Sequence, residues 1–369
     1  MPVRDSIVIP DAARLTVSLE PAQNAIHSLL LLIKLEHLSG LSDWVTDTAG
    51  ALTPEARKRH NLVLIGFHYA VLPRQSWPSF PAYMDHLAAL DSNALRDKML
   101  AAYASFPPLA PAAGREYPDE PHPVDLEAII KDVDSYLDFL RARFEAARID
   151  EALEAEAYSY VVDPPAMQAL IVSHLREMWD TYLGPEWERV EPMLREAVSA
   201  FRQIDLSDMD VLEAAQLITG QDLREEKWRK TFQQARQVIF VPSAHIGPYL
   251  GKSWADNILW VVFGARHPEG IHSHAPDLSR AEIVVNLSAL ADDNRLRILR
   301  RISDEGELSS QEIMASLGLS QSTASRHLKQ LSATGYLSER RCNGAKCYTL
   351  NSHRIEDTLR AISLFLLKK

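Results

Sequence analysis

The chain is poor in sulfur and has no long apolar run. Two cysteines in 369 residues are too few for a disulfide framework, which small secreted scaffolds build from a far higher density. No stretch reaches the ~20 consecutive apolar residues that a membrane-spanning helix needs, and no secretory leader opens the sequence. The expectation is therefore a protein of the reducing cytoplasm with no membrane partner. Common enzyme signatures are also missing. There is no His-Glu-x-x-His, no Gly-x-Ser-x-Gly and no Gly-rich dinucleotide fingerprint. Gly247-Pro248-Tyr249-Leu250-Gly251-Lys252-Ser253 comes nearest to a phosphate-binding loop. It has three residues between its glycines where four are needed, and Pro248 removes a backbone donor from the would-be cradle. Nucleotide binding is not expected, and no cofactor is implied.

What is present is ordinary globular composition, 46% hydrophobic, in a chain long enough for two or three domains. Charge is unevenly placed. The whole chain carries a net −11, yet from Asp277 onward 14 Lys and Arg face 11 Asp and Glu, so this end is at +3 and the preceding part at −14. An acidic body repels phosphates, and only the C-terminal end has the charge to approach a polyanion.

The first 265 residues read as mostly helical. Helical periodicity, often with Pro or an acidic residue in the first turn, predicts helices over Ala22–Leu38, Pro54–Val71, Tyr83–Leu90, Ser92–Ser105, Pro123–Ala147, Glu151–Val161, Pro165–Tyr182, Pro185–Ile204, Asp208–Ile218 and Asp222–Ala235. The proline-rich stretch Phe106–Pro123 predicts a loop. Strands are expected at 15–19, 237–241 and 257–263 as a small sheet, the last two pairing as a hairpin. All seven tryptophans lie in this region, which suits core packing or an aromatic-lined effector pocket. His267, His272 and His274 in the following linker, 266–276, with His245 more distant, have the residue types for zinc, but linker histidines rarely converge on a metal. No metal site is expected.

The informative segment runs from Asp292 to Leu350. Ile313, Met314 and Leu317 form one helical stripe that Gly318 ends, and Ser320 caps a second helix whose Ala324, Leu328 and Leu331 recur at i, i+4 and i+7. Gln321, Ser322, Thr323, Ser325, Arg326 and Lys329 are left facing outward: short hydrogen-bonding groups first, cations further along. This order suits base edges read in a groove with phosphates gripped beside them. After Gly335 the period changes to strand, turn, strand. Asn343-Gly344 forms the turn, and Arg340, Arg341 and Lys346 cluster at the hairpin. Together these are the parts of a winged helix-turn-helix. Cys342 and Cys347 stand on opposite arms of the wing, where two unbonded side chains are expected in a reducing cell.

This segment resembles the ArsR family of bacterial regulators. The match runs through Leu287–Leu299, Gln311–Ile313, Leu319–Leu331 and the hairpin. The resemblance implies a homodimer with the helices at Ile283–Leu290 and Ile355–Leu367 packed across a two-fold axis. The family's metal sensors place Cys-x-Cys where Ser309, Ser310 and Gln311 stand here, so that thiolate site is absent. His353 and Glu356 are the only candidates for a site on the last helix.

The fold class expected is mainly α, with a large helical N-terminal domain carrying a short β segment (1–265) and a C-terminal winged helix-turn-helix (277–369). The function expected is a cytoplasmic, homodimeric transcriptional regulator, a repressor rather than an activator, that binds double-stranded DNA at a palindromic operator. Ser320, Gln321, Ser322, Thr323, Ser325, Arg326, Lys329, Arg340, Arg341 and Lys346 would form the contact, and the N-terminal domain would sense an unknown small-molecule effector or build the dimer. No catalytic residue is assigned. The alternative is an enzyme, such as a metal-assisted hydrolase, in the N-terminal domain with a regulatory winged helix. A winged helix used only for protein interaction is a third possibility.

Overall fold

The computed structural model describes residues 15–109, 125–145, 149–206, 209–221, 223, 226–266, 280–342 and 345–367. It is mostly helical with a few short strands, and it divides into two compact units.

One unit, Pro21–Leu29 with Ala49–Glu186, is entirely helical among the described residues. Its helices begin where the sequence supplies caps: the side chains of Thr53, Ser79, Asp91, Asp132, Asp150 and Asp163 each accept a backbone N–H of the first turn. Proline follows within two residues at Thr53, Ser79 and Asp163, where its missing N–H costs nothing. Phe67, Phe80, Tyr83 and Tyr136 fill the core. Two expected helices are interrupted. Leu62–Gly66 is a π-helical turn inside the span expected as Pro54–Val71, Trp179–Leu183 is another that takes over the end of the span expected as Pro165–Tyr182, and the span expected over Pro123–Ala147 is broken into Leu126–Ile129 and Val133–Arg141, where Asp132 starts a new cap.

This unit buries titratable groups. His60 Nε2 lies 2.9 Å from the Leu29 carbonyl and His60 Nδ1 lies 3.0 Å from His174 Nε2. A carbonyl only accepts, so Nε2 of His60 carries the proton and its Nδ1 accepts from His174 Nε2–H. This leaves His174 Nδ1 a lone pair without a partner among the described residues. Burial holds both imidazoles well below their ordinary range, and burial with the neighbouring His68 brings His27 down to about 4. Burial acts in the opposite sense on Glu154, pushed up to about 7, although Tyr136 Oη donates to it at 3.2 Å.

The other unit joins Met1–Glu20, Leu30–Thr48 and Trp187–Lys369. Its first sheet has four strands, β1 (Leu15–Val17), β2 (Gln237–Ser243), β3 (Gly251–Ala255) and β4 (Ile258–Gly264), in the order β1-β2-β4-β3. β2 and β4 are central, and their continuous apolar runs are buried, as strands covered on both faces require. Phe201 and Phe232 pack on Phe263 and Phe240. The expected hairpin between β2 and β4 is incorrect. They pair in parallel, and the hairpin is β3–β4, closed by Asp256 and Asn257 at φ 47° and 66°. Two consecutive left-handed residues make the tight turn whose twist matches that of the strands. Lys252, from the discarded phosphate-loop reading, lies on β3 with its ammonium over the Trp228 ring.

The C-terminal part of this unit has a leading helix (Arg280–Leu290), a support helix (Asp293–Glu305), β5 (Leu308–Ser309), a turn helix (Ser310–Leu317), an outer helix (Gln321–Ala333), β6 (Leu337–Cys342), β7 (Ala345–Leu350) and a terminal helix (Ser352–Leu366). The three strands form a sheet in the order β5-β7-β6. Ile298, Ile302, Ile313, Leu328, Leu331, Tyr336 and Leu337 make one core. Arg295 is buried within it. Its guanidinium donates to the Ala289 carbonyl, the Ser288 carbonyl and Gln330 Oε1, each at 2.7 Å, and so ties the end of the leading helix to the outer helix.

Two outcomes follow from these buried groups. Arg295→Ala removes three hydrogen bonds, leaves the Ser288 and Ala289 carbonyls without this donor and should cost about 3 kcal/mol, with Arg295→Lys recovering little because one ammonium cannot span the three acceptors. Urea melts that differ from wild type by less than ~1 kcal/mol would contradict this role. Acidification should also destabilise the protein. Between about pH 4.5 and 6.5, unfolding lets His27, His60 and His174 take up protons, whereas Glu154 gives one up. Net uptake on unfolding means that stability falls as the pH is lowered, by roughly 1–3 kcal/mol per unit. A urea midpoint that holds constant from pH 7.0 to 5.5 would exclude it.

Candidate nucleic-acid interface

The turn geometry follows from local chemistry. Ser309 caps the turn helix while Glu312 reaches back to the Ser309 N–H at 2.8 Å, a reciprocal capping box. Gly318, at φ 65°, ends the helix in the left-handed conformation that glycine takes at little cost. Two residues later Ser320 opens the outer helix, its Oγ accepting the Thr323 N–H at 3.2 Å and lying 2.9 Å from Thr323 Oγ1. Ser320 and Thr323 are thus engaged with each other at the helix start.

The remaining outward positions are arranged as their spacing implies. Ala324, Leu328 and Leu331 are buried, whereas Gln321, Ser322, Ser325 and Lys329 are exposed on one side of the helix. Arg326 is half-buried at the edge of this face, with its Nε shielded from solvent and without a hydrogen-bond partner. The backbone N–H groups of the first turn point the same way as the helix dipole, which favours a nearby anion.

The wing is β6 and β7, in register with Arg341 opposite Lys346. Its cations differ in their engagement. Arg340 is held by both carboxylate oxygens of Glu307, and Lys346 pairs with Glu339 at 2.6 Å. Arg341 is exposed and has no ion-pair partner among the described residues. Exposed pairs of this kind are worth at most about 1 kcal/mol, so a phosphate can compete for Arg340 and Lys346. The expected Asn343-Gly344 turn lies outside the described residues.

The expectation of two unbonded cysteines is corrected. Cys342 and Cys347 form a disulfide across the wing, with Cα atoms 6.0 Å apart. Cys347 is opposite Arg340 and Cys342 opposite Ala345, so the pair is diagonal and still within bonding reach. His353 and Glu356 lie 4.0 Å apart on the exposed start of the terminal helix, and no group of three or more metal-binding side chains occurs among the described residues. His267, His272 and His274 lie outside them. His245 is buried and stacks on Trp44.

The anchoring of the far end of the outer helix rests on residues remote in the chain, which periodicity does not link. Gln330 is 1% exposed. Its Oε1 accepts from Arg295 and, at 2.5 Å, from Ser39 Oγ, while the Ser39 carbonyl accepts from Tyr249 Oη at 2.7 Å. Gly40, at φ 78°, lies so close that an added Cβ would fall 2.3 Å from Gln330 Nε2. His327, 3% exposed, is among the buried residues of the helix, 3.8 Å from Asp292 Oδ1. The exposed side of this helix, Gln321, Ser322, Ser325 and Lys329, therefore stands opposite a buried side that Gln330 clamps.

Residues 292–339 match the family model for bacterial regulatory proteins of the arsR family, a span that begins at the cap of the support helix and ends within β6. No curated protein matches the chain. No helix among the described residues is long and apolar enough to cross a membrane. The capped turn, the exposed leading half of the outer helix and the basic hairpin thus belong to a domain type that binds DNA: the C-terminal part of this chain carries an ArsR-family winged helix-turn-helix.

Proposed function

We propose that the protein is a homodimeric transcriptional repressor of the cytoplasm that binds a palindromic operator through paired outer helices. The observation that carries this reading is the exposure of Gln321, Ser322, Ser325 and Lys329 on one side of a helix whose opposite side is core. Gln321, Ser322 and Ser325 select bases. Arg326, Lys329, Arg340, Arg341 and Lys346 hold the backbone, Arg326 being also placed to take a guanine, and Ser320 with Thr323 fixes the helix start against it. Residues 277–369 do this work, while 1–265 sense an effector or extend the dimer. The linker 266–276 connects them.

Dimerisation is supported by apolar side chains that one chain leaves uncovered. Val284 and Leu287 on the leading helix are 58% and 41% exposed, and Leu359 and Leu366 on the terminal helix are 56% and 69% exposed. Their own core takes up Ile283 and Ala361 instead. The two helices contact each other, so these residues lie on adjacent elements, as a two-fold interface would use them. Two copies double the contacts of a domain whose charge is only modestly positive, and they set half-site centres about 10 bp apart or a multiple of it.

Three substitutions test the reading on an operator selected from random duplexes. Gln321→Ala should cost about 1–3 kcal/mol of discrimination, and equal loss on cognate and random DNA would refute base reading by this residue. Arg341→Ala should weaken all duplexes alike and lower the salt slope by about one unit. Leu359→Glu should yield monomers in sedimentation and lose operator affinity. A variant that stays dimeric would place the interface elsewhere.

A further inference from the structure

A cavity of about 800 Å³ lies within the unit that contains the winged helix, against the trailing end of the outer helix. Its walls come from the leading helix, the end of the outer helix through Gly335, the root of the wing, the start of the terminal helix, the ends of β2 and β4, and the segments 189–193 and 216–221. That volume is in the range of organic-ligand sites. We propose that it is the effector site, and that it takes a small organic acid with one carboxylate and an apolar body. This deepens the regulator reading, on which its regulatory role rests, and places effector recognition on residues of 277–369 together with residues of 1–265 rather than on the latter alone.

The polar lining has unmet donors. Asn286 lines the cavity at 2% exposure, yet its Nδ2 has no hydrogen-bond partner. Ser332 Oγ, in the same lining, is likewise shielded and unpartnered. A buried amide donor left unmatched costs about 1–3 kcal/mol, and such groups mark places where an acceptor is to arrive. The Asn286 backbone is fixed, because its carbonyl accepts from Tyr336 Oη, which also bonds Thr358. The amide is therefore presented from a rigid wall.

Charge selects an anion. The lining holds Arg189, Arg266, Lys346 and Arg354 against Glu282 and Glu339. Glu282 pairs with Arg266 at 2.9 Å and Glu339 with Lys346 at 2.6 Å, so both carboxylates of the lining are engaged elsewhere than at Arg354. Arg354 is the oriented cation. Its Nε donates to the Thr334 carbonyl at 3.1 Å, and no carboxylate among the described residues pairs with it, so the outer edge of the guanidinium remains for a bidentate carboxylate. Val190, Met193 and Val285 supply the apolar side of the lining. A ligand that bonds Arg354 and Asn286 would brace the leading and terminal helices against Ser332 on the outer helix. This gives it a differential hold on the orientation of the DNA-reading element.

The test is calorimetric titration of the full chain with 4-hydroxybenzoate, indole-3-acetate and octanoate, with the corresponding neutral amides as controls. At least one acid should bind with a Kd below 1 mM and its amide at least tenfold more weakly. Arg354→Gln should weaken that acid at least tenfold. Asn286→Leu should weaken it severalfold while leaving Tm unchanged or raised, since it removes an unmatched amide, and this variant guards against loss of fold as the explanation. Absence of binding by all three acids, or wild-type affinity in both variants, overturns the proposal. Operator binding measured in parallel separates the two readings: a protein that binds DNA but no acid loses only the effector site, and one that binds an acid but no duplex loses only the regulator assignment.

Discussion

The outer helix is oriented from its buried end. Arg295 spans Ser288, Ala289 and Gln330, and Gln330 in turn bonds Ser39, which Tyr249 holds through its carbonyl. A charged guanidinium in a nearly dry site is tolerated only when its donors are matched, and here the matching groups come from the leading helix and the outer helix at once. Any rotation of the outer helix about its axis would break that match. The exposed face of Gln321, Ser322, Ser325 and Lys329 is therefore set by contacts at the opposite end of the same helix, and by a loop far away in the chain.

The parts of the fold that were readable in the sequence are those decided within a few residues. Gly318, the Ser320 cap and the Ala324/Leu328/Leu331 stripe follow from backbone conformation and a 3.6-residue period. So does the change to strand after Gly335. Unreadable parts depend on partners remote in the chain. Arg295 sits in an amphipathic helix among other cations, where composition suggests solvent, and only the acceptors arriving from Ala289 and Gln330 make burial affordable. Ser39 and Gln330 are separated by 291 positions, and no periodicity links them. β3 was hidden in a stretch rich in Gly and Pro, although Asp256-Asn257 was a usable hairpin signal. The parallel pairing of β2 with β4 follows from β3 occupying the antiparallel edge. The π-turn at Leu62–Gly66 lies in a run apolar enough to pass for regular helix.

The candidate contact surface has the same division. The outward positions on the outer helix could be named from spacing because each lies on the side opposite a buried aliphatic residue. The state of the wing could not. Register brings Arg340 to Glu307 and Lys346 to Glu339, so two of its three cations are already engaged in the free protein, and the reach of Cys342 to Cys347 depends on which residues face each other across the hairpin. The wing consequently begins with less available charge than its composition suggests. Under the proposed reading, a duplex would have to exchange carboxylates for phosphates there, which would favour sites that also satisfy the outer helix.

The packing around Gly40 has a consequence for how such a sequence can drift. A side chain at position 40 would collide with Gln330, and one at Gly247, at φ 60°, would meet the Gly40 carbonyl at 2.2 Å. Gln330 also holds Arg295, so it cannot be shortened to make room without unmatching the guanidinium. The order of acceptable changes is thereby fixed for three of them: position 295 must become neutral before 330 can shrink, and 330 must shrink before position 40 acquires a methyl group, whereas Gly247 is held by the Gly40 backbone itself. Lineages descending from this chain are expected to keep or to lose Gly40, Arg295 and Gln330 as a block.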